Sequence, residues 1–170
     1  MKKIYALILL ALAFNYSNAQ SYQVEMVSDL NPSTGSNPRW LTVCDSSLYF
    51  FANDGINGHK IFSVTGNTTP VLCPNVAGAA VFGDGAVSTN RPMGVYNNKL
   101  YIPILALAIG RELYKYDAVN IPVIVMDINP GAGSAAPMYM MTYNNKLYFQ
   151  ANSPATGTEL WVHDPVLNTT

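Results

Sequence analysis

Charge is scarce in this sequence. Only 11% of its 170 residues are Asp, Glu, Lys or Arg, well under the usual quarter of a soluble domain. The formal net charge is −1, and setting aside Lys2 and Lys3 of the leader described below leaves seven basic against ten acidic residues. No basic stripe is left to track a phosphate backbone, which argues against nucleic acid as a partner. No polybasic segment addresses an anionic membrane either. Cysteine is almost absent, with only Cys44 and Cys73 present, 29 residues apart and outside any CxxC or Cys/His cluster, so zinc is not implied. Export would make a disulfide chemically possible, but the plainer reading is two buried free thiols. After the leader, no stretch sustains the i, i+3, i+4, i+7 apolar spacing of an amphipathic helix. A glycine-rich phosphate loop opening a helix, a Gly-x-Ser-x-Gly elbow and a defensible Ser/His/Asp order are also missing. No catalytic residue and no cofactor-binding residue is assigned on these grounds.

What the chain has instead is aromatic and turn-forming. It carries 11 Tyr, 12 Gly and 11 Pro, and 49% of its residues are hydrophobic. Frequent aromatics and turn formers with little charge suit short strands, while the apolar fraction is enough for a packed core. At the N-terminus, Lys2 and Lys3 precede an uncharged apolar run from Ile4 to Phe14, and Ser17-Asn18-Ala19 follows with small residues at a cleavage site. This is the pattern of a signal peptide over residues 1–19. Eleven residues rise only ~16 Å as a helix, too short to cross a bilayer core of about 30 Å. The mature chain is therefore expected over residues 20–170, secreted or at the cell surface and not inserted in the membrane. The leader resembles those of exported proteins of the Bacteroidota.

Internal repetition organises the rest. Leu-Tyr pairs begin at positions 48, 100 and 147, and glycines stand at 58, 110 and 157, so both series are spaced by 52 and then 47. Leu30-Asn31-Pro32 and Ile128-Asn129-Pro130 open the first and third blocks, while the middle block is degenerate at its start, with Asn75-Val76-Ala77-Gly78 in place of the loop and then Arg91-Pro92. Approximate repeats run 24–69, 70–120 and 121–170. Each holds about four short strands, with Asn-Asn pairs at 97–98 and 144–145 marking hairpin turns. The expected fold is all-β, with about three four-stranded blades of β-propeller type. Three blades are too few to close a ring, so the ring is incomplete. Either the chain is a fragment with further blades beyond it, or an oligomer completes the ring.

The runs Asp127-Ile128-Asn129-Pro130-Gly131, Asn145-Lys146-Leu147-Tyr148-Phe149 and Gly157-Thr158-Glu159-Leu160-Trp161 resemble the ELWxxDGT-type repeat of large bacterial surface proteins. The likeness spans residues 24–170, with departures: Pro165 follows Asp164 where the family has Gly-Thr, and Lys60-Ile61-Phe62 stands for Glu-Leu-Trp in the first block. The resemblance implies a propeller-like fold, export and often type IX secretion, with no agreed activity. The expected function is a non-enzymatic exported scaffold for binding or adhesion to a protein or glycan. The alternative is part of a propeller enzyme or carbohydrate-binding module whose site lies on missing blades.

Several residues are candidates for more than packing. Glu112 and Glu159 occupy matching positions, but Lys60 stands there in the first block, which points to a solvated strand position and not to a catalytic carboxylate. His59 and His163 are not at equivalent positions and read as surface or turn histidines. Asp54 and Asn57 lie in an oxygen-rich Asn53–Gly58 segment, a weak calcium candidate that lacks a later bidentate glutamate. The apolar run Leu105-Ala106-Leu107-Ala108-Ile109 falls where the sister blocks place polar turns. It is either a longer buried strand with its turn displaced, or an apolar knob through which Leu105, Leu107 and Ile109 contact a partner. Phe62, Tyr114 and Trp161 recur four residues after the repeated glycines and are expected to pack between sheets, although Trp40 and Trp161 could also serve as sugar-stacking aromatics.

Overall fold

The structure, a computed structural model, describes residues 24–74, 79–81, 93–117 and 119–164. The expected signal peptide, Asn75–Gly78 and Arg91-Pro92 lie outside the described residues. Within them every regular element is a strand. The first sheet comprises β1 (Arg39–Cys44), β2 (Ser47–Asn53), β3 (His59–Thr65) and β4 (Val71–Leu72), in that order. The second is built on β7 (Lys99–Ala106), β8 (Gly110–Tyr116) and β9 (Val123–Met126). Two short strands, β5 (Ala79–Val81) and β6 (Gly94–Tyr96), share the outer side of β7, pairing with opposite halves of it. The third sheet is β10 (Met138–Tyr143), β11 (Lys146–Ser153) and β12 (Gly157–His163). All pairings are antiparallel.

The equal spacing seen in the sequence returns as equal geometry. Asn97 and Asn98 close β6 onto β7, and Asn144 and Asn145 close β10 onto β11, all four at φ between 48° and 57°. Asparagine tolerates this left-handed region better than most residues. Gly58, Gly110 and Gly157 carry φ of 70°, 71° and 75° at the turn into β3, β8 and β12. One offset was not legible: Val123–Met126 opens the third block in sequence yet pairs with β8 as the last strand of the second sheet, as Val71–Leu72 does in the first. Sequence block and sheet are thus displaced by one strand.

The sheets pack face to face. Tyr49, Phe51 and Ile61 of the first sheet meet Ile102, Ile104 and Tyr114 of the second in one buried cluster. The opposite face of the second sheet, with Tyr101 and Leu113, meets Leu147, Phe149 and Ala151 of the third in another. The middle sheet is therefore apolar on both faces, which explains why Leu100-Tyr101-Ile102-Pro103-Ile104 shows no polar alternation. A third cluster, Phe50, Ala52 and Phe62, lies on the outer face of the first sheet beneath Leu30 and Val64.

A buried carboxylate ties the second sheet to the third. Glu112 on β8 is 0% exposed, which corrects the expectation of a solvated position. Its Oε2 accepts the Ile128 N–H (2.8 Å) and its Oε1 the Ala135 N–H (3.0 Å). Both donors lie in the loop between β9 and β10. Around this contact Ser134 Oγ accepts the Arg111 N–H (3.0 Å) and the Arg111 carbonyl accepts the Ala136 N–H (3.0 Å). The approach is so close that a Cβ on Gly110 would lie 1.4 Å from the Gly133 oxygen. Glu112→Ala should leave two buried N–H groups without acceptors and destabilise the protein by about 2–6 kcal/mol, at ~1–3 per orphaned group. Urea denaturation followed by tyrosine fluorescence checks this. A loss below about 0.5 kcal/mol, the scale of an ordinary surface change, would contradict it.

Candidate functional site

The short strand β6 lies between β1 and β10, and an open cleft of about 580 Å³ forms where they meet. Its walls are Trp40, Leu41 and Thr42 from the first sheet, Met93, Gly94 and Val95 from the second, and Met140 from the third. Gly94 makes the closeness of β6 and β10 feasible, since a Cβ there would sit 2.5 Å from Met140 Cβ. The Thr142 hydroxyl donates to the Val95 carbonyl across the same junction. Trp40 stacks on Phe51 (centroids 4.9 Å apart, planes at 28°) and is half-buried.

Trp40 sits in the left-handed region, at φ 56°, where the register of β1 against β2 shifts. Tyr139 has the same φ at the matching shift of β10 against β11. An aromatic residue in that region is an outlier, held at a cost of roughly 1–3 kcal/mol by its surroundings. Nothing in the sequence marks these bulges except the aromatics themselves. The seven lining side chains include no titratable group. What the cleft offers is an aromatic ring, thioethers, one hydroxyl and backbone polar groups, a set suited to holding a neutral ligand and not to moving protons.

Apart from Trp40, the residues singled out in the sequence fall elsewhere. Asp54 Oδ1 accepts the Ile56 N–H (2.9 Å) and Asn57 N–H (2.6 Å), and Oδ2 accepts the Asn57 side-chain amide (2.6 Å). Those hydrogen bonds hold the carboxyl below its ordinary range. The two residues stabilise their own turn, and among the described residues no group of three or more His, Cys, Asp or Glu could hold a metal ion. The run at 105–109 is split. Leu105 and Ala106 finish β7, so the turn is not displaced, and Ile109 packs against the core. Leu107 alone of Leu105, Leu107 and Ile109 is fully exposed. Cys44 and Cys73 are free and buried in the same cluster, and burial pushes both thiols up.

Phe62, Tyr114 and Trp161 all face the side of their own sheet that carries Phe50, Ile102 and Phe149, the residues paired with them on the neighbouring strand. Trp161 packs on the cluster between second and third sheets, and its Nε1–H donates to the Ala151 carbonyl (3.0 Å). His163 is not a turn residue. It lies on β12 with its ring against Tyr101 (5.4 Å) and Tyr96 (6.1 Å). His59 likewise stacks on Phe51 at 5.3 Å. Burial, more than the nearby Lys115 charge, holds the His163 imidazole below its usual pKa, against an opposing pull from Asp164. Glu112 is pushed up by burial despite its backbone donors. Comparison with family models, with curated proteins and with solved structures finds no match.

Two outcomes follow from these placements. Trp161→Ala should cost about 3 kcal/mol in denaturation experiments, as truncation of a large packed aromatic does; an unchanged midpoint would place the ring outside the packing. For His163, a depressed folded pKa means that the unfolded chain binds the proton first. Stability should therefore fall as pH drops below the ordinary imidazole value of about 6.5. Glu112 acts with the opposite sign, because its raised pKa makes the native state bind the proton first. The difference between wild type and His163→Phe isolates the histidine, and the variant should lose less stability between neutral pH and pH ~5.5 than wild type does. Parallel curves would remove His163 from the account.

Proposed function

We propose that this chain is a non-enzymatic scaffold of an incomplete β-propeller, exported to the cell surface, where it binds a protein or glycan. The reading of the sheets as blades is supported by their antiparallel pattern of three to five strands and by the way one motif recurs at matching positions of successive sheets. Export rests on the leader and on the resemblance to ELWxxDGT-type repeats. The observation that carries the binding reading is the cleft of Trp40, Met93 and Met140. It is concave, aromatic and without titratable side chains, while Glu112, the most deeply buried carboxylate among the described residues, is consumed by backbone N–H groups.

Half-buried Trp40, already stacked on Phe51, favours a pyranose as the ligand class, because the apolar face of a sugar ring stacks on indole while its hydroxyls reach backbone groups. The chain contains two tryptophans, so Trp161→Phe leaves Trp40 as the sole indole reporter. Titration of that variant with xylan, chitin and mannan oligosaccharides should shift its emission saturably for one of them. Trp40→Ala in the wild-type background should lower the measured affinity at least tenfold, about 1.4 kcal/mol. Full binding by Trp40→Ala would displace the ligand from this cleft. Release of shortened sugars during incubation would establish the enzyme alternative instead.

A further inference from the structure

The two outer sheets carry complementary, unmatched halves of the contact that joins the sheets between them. Where the second sheet meets the third, Leu113 and Tyr96 are 1% and 3% exposed. Their counterparts in the third sheet, at the repeat spacing, are Leu160 and Tyr143, exposed at 75% and 69%. Glu112 is enclosed by the loop ahead of β10, whereas its counterpart Glu159 is exposed. Gly110 touches Gly133, whereas a Cβ on Gly157 would meet nothing within 4 Å. The second sheet has β9 beyond β8, whereas the third ends at β12 with no strand beyond it among the described residues.

The missing halves lie at the other end of the chain. Leu30 and Ser36 correspond to Ile128 and Ala135, whose N–H groups bind Glu112. Their loop is already shaped alike: the Ser36 carbonyl accepts the Asn53 N–H (2.9 Å), as the Ala135 carbonyl accepts the Asn152 N–H (2.8 Å). Residues 25–28 correspond to Val123–Met126, the strand that completes the second sheet, yet they form no strand here, and Met26 is 75% exposed. Beside them an open apolar groove of about 270 Å³ runs between Val27, Leu30, Leu48 and Phe50. Their counterparts Val125, Ile128, Leu147 and Phe149 receive Tyr101 and Leu113 in the existing interface.

We propose that a second copy of this chain docks head to tail, so that residues 25–28 of each copy add as the fourth strand beside β12 of the other, and Glu159 accepts the Leu30 and Ser36 N–H groups of the other copy. Leu160 and Tyr148 then fill the groove at Val27 and Phe50, and Met26 pairs with Trp161 as Ile124 pairs with Tyr114. Mutual docking of two copies covers the open outer face at both ends of each copy. Two-fold closure is also the commonest oligomer symmetry, and pairing at β12 removes an open sheet edge. The inference rests on the blade reading above and adds the identity of the partner.

Sedimentation velocity of the purified protein over a hundredfold range of micromolar concentrations tests it. Wild type should sediment at twice the chain mass. Gly157→Ala and Glu159→Ala should each raise the dissociation constant at least tenfold, while circular dichroism stays that of the folded chain. Gly110→Ala serves as the reference: it probes the same contact inside one chain and should lower the denaturation midpoint itself. A monomer at every concentration overturns the pairing, as does an open-ended polymer. A dimer indifferent to Gly157→Ala and Glu159→Ala overturns its placement. If docking fails while Gly110→Ala still destabilises, the blade reading stands and only the partner is wrong. If Gly110→Ala has no effect, the blade reading fails and the docking falls with it.

Discussion

A carboxylate removed from water must have both oxygens satisfied, or its burial costs several kcal/mol. Glu112 meets that requirement with backbone N–H groups from the loop that leads from its own sheet into the next. The consequences extend along the chain. The loop must hold Ile128 and Ala135 in fixed positions seven residues apart, so it carries Asn129, whose side-chain amide donates to the Ser134 carbonyl (3.2 Å). It must also approach β8 so closely that only glycine is accommodated at 110. With the loop fixed, Ile128 enters the core between the sheets, and the Tyr96 hydroxyl reaches the Asn145 carbonyl (2.9 Å). A polar contact and an apolar interface thus specify the same spacing between sheets.

Much of this was legible in the sequence, for reasons that can be traced. The shared offsets of the Leu-Tyr pairs and the glycines located the β2–β3, β7–β8 and β11–β12 hairpins, because hairpin register is fixed by the turn and a one-residue change would invert every side chain. The Asn-Asn pairs located two further turns through their tolerance of positive φ. The aromatics four residues after the repeated glycines indicated packing between sheets, which holds for Tyr114 and Trp161, whereas Phe62 lies on the outer face of the first sheet. Glu112 was misread because Lys60 at the matching position of the first sheet suggested exposure. Those two occupy sheets with different neighbours, and burial at a repeated position depends on what the adjoining sheet supplies. His163 was misread as a surface or turn residue for a related reason: sequence spacing marks metal ligands but does not mark aromatic neighbours brought from other strands.

The cleft at Trp40 was the least legible feature. It depends on a positive φ in an aromatic residue and on β6 lying against two strands from other sheets, and neither has a local signature. The repeat that builds the sheets nevertheless sets its position, since the bulges at Trp40 and Tyr139 occupy the same place in the first and third sheets. The cleft and the packing scaffold are therefore consequences of one pattern. The hairpins β2–β3, β7–β8 and β11–β12 carry the packing, and the leading strands β1 and β10 carry the bulges.

Amide hydrogen exchange at Ile128 and Ala135 tests the central contact most directly. Neither residue belongs to a strand, so ordinary loop amides there would exchange quickly. If Glu112 holds both, their exchange should be slowed to the rate of the core amides of β7 and β8, and should require opening of the interface between the second and third sheets. Exchange of these two amides at the rate of the exposed turn at Gly66 would contradict the account.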